Sequence, residues 1–212
     1  MDLHPPFLLL AMPSLQGDVF AKSVVLIVSQ DQEGAAGFVL NHRSRDPEEG
    51  QAVMKAELRD ASGQSLEAFH HDLFWGGPVR EDSLFCIHDA GPLVSSDLSL
   101  GQGLVLSQEP DGFQRALSLE KGGGHLRFFL GTAGWEPGQL EQEIHQGLWY
   151  PIAFDQQRIS DWIFPRWADD NGHAGVEFWE SLLREAGLDP RLMGASGSGS
   201  LNRWFSVQIV FQ

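Results

Sequence analysis

The chain has 212 residues, 42% of them hydrophobic, and its 14 Lys and Arg stand against 29 Asp and Glu, a formal charge of −15. That length suits one large domain or two small ones, and seven Trp and fourteen Phe supply a core that takes the chain out of the disordered class. So acidic a balance repels phosphate backbones and anionic lipid, and it lacks the clustered cations whose counterion release drives DNA affinity, so neither nucleic acid nor membrane is expected as a direct partner.

Three short apolar runs open the chain, at 7–12, 23–28 and 37–40, punctuated by Pro13 to Gly17 and by Gly34. Brief runs rich in Val, Ile and Leu predict strands, and their near-continuous apolarity predicts burial on both faces. The first run is six residues long and has Asp2 where a signal peptide carries a cation. No run approaches the ~18 apolar residues of a membrane span, and a cytoplasmic location is expected. Residues 43–72 turn polar. His42, Arg43 and Arg45 are followed at once by Asp46, Glu48 and Glu49, a mixed loop rather than a basic patch. Asp46-Pro47 and the spacing of Val53, Met54 and Leu58 predict a surface excursion with one short helix.

Strands follow at 73–75 and 83–88, separated by the turn-forming Gly76-Gly77-Pro78, and another at 103–107. Asp111 can cap a helix over 113–119, where Phe113, Ala116 and Leu117 share a face. Residues 126–130 read as the next strand and 137–145 as the next helix, with Pro137 at its first position, Leu140 and Ile144 four apart, and Gly147 at its end. Val176, Trp179, Leu182, Leu183 and Ala186 keep a helical period up to Gly187 and Pro190. Residues 1–193 are thus expected to form one domain. Residues 194–200 are a Gly/Ser linker, and Phe205, Val207, Ile209 and Phe211 line one face of a C-terminal strand expected to pair with a sheet edge, its own or a second copy's. Strands before, between and after helices predict α/β or α+β with a mixed sheet rather than a clean βαβ alternation.

Few residues suggest chemistry. Cys86 lies among Leu84, Phe85 and Ile87, where a free thiol behaves as a small hydrophobe. As the single cysteine it excludes an internal disulfide and suits a reducing compartment. His70, His71 and Asp72 invite a metal, but neighbours on a strand point to opposite faces. Gly76-Gly77-Pro78, Gly122-Gly123-Gly124 and Gly131-Thr132-Ala133-Gly134 lack the spacing of a phosphate cradle, and no GxSxG elbow occurs. No catalytic residue, metal ligand or cofactor is therefore expected. Residues 131–143 read as an architectural joint: Glu136, Glu141 and Glu143 already complement the helix dipole, and Trp135 is placed to fold back over Leu140. Asn41, Gly76, Gly77, Pro78, Gly134, Trp135, Gly138, Gln139 and Glu143 form the candidate binding or structural motif.

As a set these motifs resemble the bacterial YqgE/AlgH family. The resemblance is carried by Leu10-Ala11-Met12-Pro13-Ser14-Leu15, Ser23-Val24-Val25, the run from Gly34 to Asn41, Gly76-Gly77-Pro78-Val79, and Ala133-Gly134-Trp135 leading to Gly138-Gln139-Leu140-Glu141 and Glu143-Ile144. They keep the family's order to about residue 192. The resemblance implies a cytoplasmic α/β protein with a bifurcated or barrel-like mixed sheet flanked by helices, and it implies no reaction, cofactor or ligand. The family's label as a transcriptional regulator of alginate synthesis sits badly with a charge of −15 and no visible helix-turn-helix. The sequence departs from the family at Ser29-Gln30, where many members read Glu-His, at Ser198, where a Gly-His-Ala ending would place histidine, and in residues 201–212, which run past the usual end. The leading expectation is a regulatory or accessory protein that binds another protein or a small molecule. The alternatives are an enzyme of unknown reaction and a direct DNA-binding regulator.

Overall fold

The computed structural model of the chain describes residues 4–190, other than 16, 47–49, 52, 60–64, 90, 92–94, 102, 121, 154 and 165–172. Strands β1 (Phe7–Ala11), β2 (Val24–Asp31) and β3 (Gly34–Val39) come first, followed by the two-residue pair β4 (Arg45–Asp46) and β5 (Gly50–Gln51). A long antiparallel hairpin of β6 (Val53–Arg59) and β7 (Ser65–Trp75) leads to β8 (Val79–His88), β9 (Leu98–Gly101) and β10 (Leu104–Ser107). Then come α1 (Pro110–Glu120), β11 (Leu126–Trp135), α2 (Gln139–His145), β12 (Trp149–Ala153), α3 (Ile159–Ile163) and α4 (His173–Glu185).

The strands order as β12-β1-β2-β3-β11-β8-β10-β9, and the hairpin branches off this path because β7 also pairs with β11. The sheet therefore forks at β11. Phe128, Phe129 and Leu130 pair in parallel with Leu73, Phe74 and Trp75, whereas Ala133, Gly134 and Trp135 pair antiparallel with Gly37, Ala36 and Ala35. Gly76 sits in the crotch of the fork. Its N–H donates to Leu130 O at 2.7 Å and its carbonyl accepts from Val39 N–H at 2.9 Å. A β-carbon on Gly77, whose φ is +146°, would lie 2.3 Å from the backbone of Thr132 and Ala133, so only glycine allows the strands to part at this distance. The fold is α+β with a mixed, bifurcated, curled sheet and helices, as the resemblance implied, and the described residues form four α-helices.

Three apolar clusters follow from this topology. β1 lies between β2 and β12 with every residue buried, which is why its run is apolar without alternation. Leu8 and Leu10 join Trp162, Trp179, Leu182 and Leu183 of α3 and α4 on one face. Phe7, Leu9 and Ala11 join Trp75, Trp135, Leu140 and Trp149 on the other. Under α1, Phe113, Ala116 and Leu117 pack on Leu73, Cys86, Phe128 and Leu130.

The polar excursion at 43–72 is a correction to the sequence reading, since the hairpin of β6 and β7 stands where a short helix was expected. Val53, Met54 and Leu58 satisfy a helical spacing, but Met54, Ala56 and Leu58 also alternate with Lys55, Glu57 and Arg59, and pairing with β7 decides between the two. β11 continues five residues past Leu130 through a bulge at Gly131, φ +69°, so the glycines there bend a strand instead of ending it. β9, β12 and α3 were not foreseen. The 194–200 linker and the 205–211 strand lie outside the described residues.

Candidate functional site

Glu143, on α2, gathers donors from three places. Its Oε2 accepts Trp135 Nε1–H at 2.9 Å and Trp149 Nε1–H at 2.8 Å, and its Oε1 accepts Gln139 Nε2–H at 2.8 Å. Gln139 Oε1 in turn accepts Glu136 N–H at 2.9 Å. Gly138 is the N-cap residue in a left-handed conformation, so α2 begins at Gln139 and Pro137 belongs to the preceding turn. Trp135 shares an apolar cluster with Leu140 as expected, yet its indole is positioned by the carboxylate of Glu143. The joint is therefore a hydrogen-bonded clamp on two tryptophans.

A third indole completes the group. Trp75, at the end of β7, donates from Nε1 to Glu81 Oε1 at 3.2 Å, and the His42 ring stacks on it with centroids 5.9 Å apart. The three indoles converge on one side chain, Phe20 of the loop before β2. Its ring lies 5.9 Å from Trp75, 6.2 Å from Trp135 and 5.6 Å from Trp149. Trp135 and Trp149 meet edge to face at 5.8 Å. The indoles are 3 to 7% exposed, while Phe20 is half-buried.

Of the predicted motif, Trp135, Gln139 and Glu143 build this cluster, and Gly138 starts the helix that carries two of them. Gly76 and Gly77 hold the fork that places Trp75, and Pro78 is exposed. Gly134 faces Val79, whose Cγ2 is 3.4 Å from where a β-carbon would stand. Asn41 serves another junction. Its Oδ1 accepts Val24 N–H at 2.7 Å, and its Nδ2 donates to Lys22 O at 2.8 Å and Gly175 O at 2.9 Å. It ties β2 to the start of α4 and does not line the cluster. Phe20, His42, Trp75, Glu81 and Trp149 were missing from the predicted set.

Other polar groups arrange themselves structurally. Ser107 Oγ donates to Asp97 Oδ1 at 2.5 Å and lies 3.0 Å from His88 Nε2. With its proton on Asp97, the hydroxyl can only accept from His88, the reverse of what a general base needs to activate a serine. Burial lowers the His88 pKa against the opposing charges of Asp97 and Asp89. Burial also lowers His42 to about 4, despite a hydrogen bond to the Ala21 backbone, so its ring is neutral at physiological pH. Arg127 is buried over the Phe74 ring at 4.1 Å and donates to Leu40 O at 2.9 Å. Desolvation and then Arg43 bring its pKa down to about 9, with Asp72 acting against them. It remains charged at neutral pH. Among the described residues no three His, Cys, Asp or Glu are grouped to hold a metal, and no helix is long and apolar enough to cross a membrane.

Residues 8–191 match the family model described as AlgH-like. A UPF0301 protein of Shewanella oneidensis is 30% identical over 180 residues, 84% of this chain and 95% of the relative. One from Myxococcus xanthus is 32% identical over 188 residues, 89% of this chain and 93% of the relative. The solution structure of AlgH from Pseudomonas aeruginosa is similar with a TM-score of 0.58 at 26% identity, covering 92% of this chain and 95% of that one. A crystal structure of a Corynebacterium diphtheriae protein gives the same TM-score at 25% identity, covering 87% and 88%. The family model, the curated relatives and the solved structures agree over most of the chain, which therefore belongs to the AlgH-like, or UPF0301, family.

Proposed function

We propose that the protein is a cytoplasmic regulatory or accessory protein that works by binding a small molecule or another protein at the tryptophan cluster. One observation carries this reading: indoles from three separate strands close on a single loop side chain, Phe20, with their N–H groups held by carboxylates. Rigid aromatic surface arranged around a replaceable group is the material of binding sites. The shifted titratable groups His42, His88 and Arg127 owe their shifts to burial, and the Ser107 hydroxyl is committed to Asp97. That pattern favours binding over turnover. The lone, buried Cys86 suits a reducing compartment. In the same reading residues 203–211 pair with a sheet edge of the chain itself or of a second copy.

The test is to incubate the protein with a bacterial metabolite extract and follow the mixture by NMR. Specific signals should broaden with no new resonances, and Trp149→Phe should weaken the broadening. Conversion of a metabolite that stops in Glu143→Gln would replace this reading with an enzymatic one.

A further inference from the structure

We propose that the tryptophan cluster is a box for a methylated ammonium group, and that Phe20 fills the position such a group would take. This rests on the binding reading above and names the ligand chemistry. A cation within about 6 Å of a ring centroid is drawn to the electron-rich face, and tryptophan is the strongest partner. The centre of the Phe20 ring has three tryptophans at 5.6 to 6.2 Å. The Trp135, Trp75 and Trp149 planes lie at 21°, 40° and 69° to the Phe20 ring.

The surroundings select the charge. The electropositive N–H edges of all three indoles are turned onto carboxylates, Trp75 to Glu81 and the other two to Glu143. The carboxylates add negative potential around the rings, so an anion in the box would face repulsion. A neutral apolar group would bring nothing that Phe20 lacks, whereas a cation adds attraction to the rings and to both glutamates. The carboxylate at the box favours methylation. Glu143 already accepts three N–H groups, which leaves it little capacity for the protons of a bare ammonium, while a quaternary ammonium has no N–H to satisfy.

Phe20 is built to leave. It lies on a loop bracketed by two left-handed residues, Gly17 at φ +90° and Lys22 at φ +57°. The hydrogen bonds at its own backbone are local, Phe20 N–H to Asp18 Oδ1 and Ser23 N–H to Phe20 O. Behind it, Ala21 and Lys22 are fixed by His42 and Asn41, which gives the swing a firm hinge.

The experiment compares choline with its neutral isostere 3,3-dimethylbutanol at matched ionic strength, by tryptophan fluorescence and by the indole N–H resonances of the wild type. Choline should perturb the resonances of three tryptophans, bind Phe20→Ala at least about tenfold more tightly than wild type, and lose that gain in Phe20→Ala/Trp135→Phe. Dimethylbutanol should do none of this. If Phe20→Ala does not fold, the wild-type resonances decide. Equal binding of isostere and choline would overturn the cation assignment and leave an apolar site. Inert indoles under choline, with metabolite broadening still sensitive to Trp149→Phe, would sink the inference while the binding reading stands.

Discussion

At the scale of single residues, Glu143 and Trp135 carry the clearest expectations. Trp135 is 7% exposed within an apolar cluster, so Trp135→Ala should lower stability by about 3 to 5 kcal/mol, read from urea unfolding. Glu143→Ala should cost a comparable amount by another route, since it strands two enclosed indole N–H groups at about 1 to 3 kcal/mol each. Glu143→Gln keeps an acceptor oxygen and should cost less. His42 supplies a pH signature. Unfolded, its ring titrates near 6.5; folded, it does so at about 4. The native state therefore binds fewer protons between these values, so its contribution is complete above the higher value and is lost as pH falls through the lower one. That shift corresponds to about 3 kcal/mol. Burial of His88 acts in the same direction. His42→Gln should flatten the acid limb of stability against pH, and an unchanged limb would mean that the ring is not the desolvated neutral group described.

At the scale of elements, β11 is where the sheet divides, and Gly77 permits the division. Gly77→Ala places a β-carbon 2.3 Å from the backbone of β11 and should cost more than about 4 kcal/mol. Gly123→Ala, at φ +93° with no atom within 4 Å, should cost only the local strain of about 1 to 2 kcal/mol. Thermal melts of the pair would separate packing from conformation. These elements also show what the sequence could tell. The double burial of β1 was legible in its unbroken run, and α4 in its 3.6-residue period. The fork was legible only through the family resemblance, because it depends on Phe128 finding Leu73 and Ala133 finding Gly37, pairings that no local pattern encodes. In the site, Trp135 and Glu143 are near in sequence and were both singled out. Phe20, Trp75 and Trp149 arrive from other elements and were missed for that reason.

At the scale of the whole molecule, a charge of −15 should leave the protein without affinity for duplex DNA at about 100 mM salt. A sequence-specific gel shift at nanomolar protein would contradict this. Deleting residues 201–212 should lower the melting temperature or change the oligomeric state seen by light scattering, and no change in either would dispose of the proposed edge pairing. Strand β1 depends on a strand made far downstream of it. Leu9 pairs with Val25 on one side but with Pro151 on the other, so a ribosome must carry synthesis past Pro151 before β1 acquires its second neighbour. Until then a leucine-rich edge stands open beside the exit tunnel. Stalled or truncated products ending before Trp149 should therefore depend on chaperones to stay dispersed, while the finished chain does not.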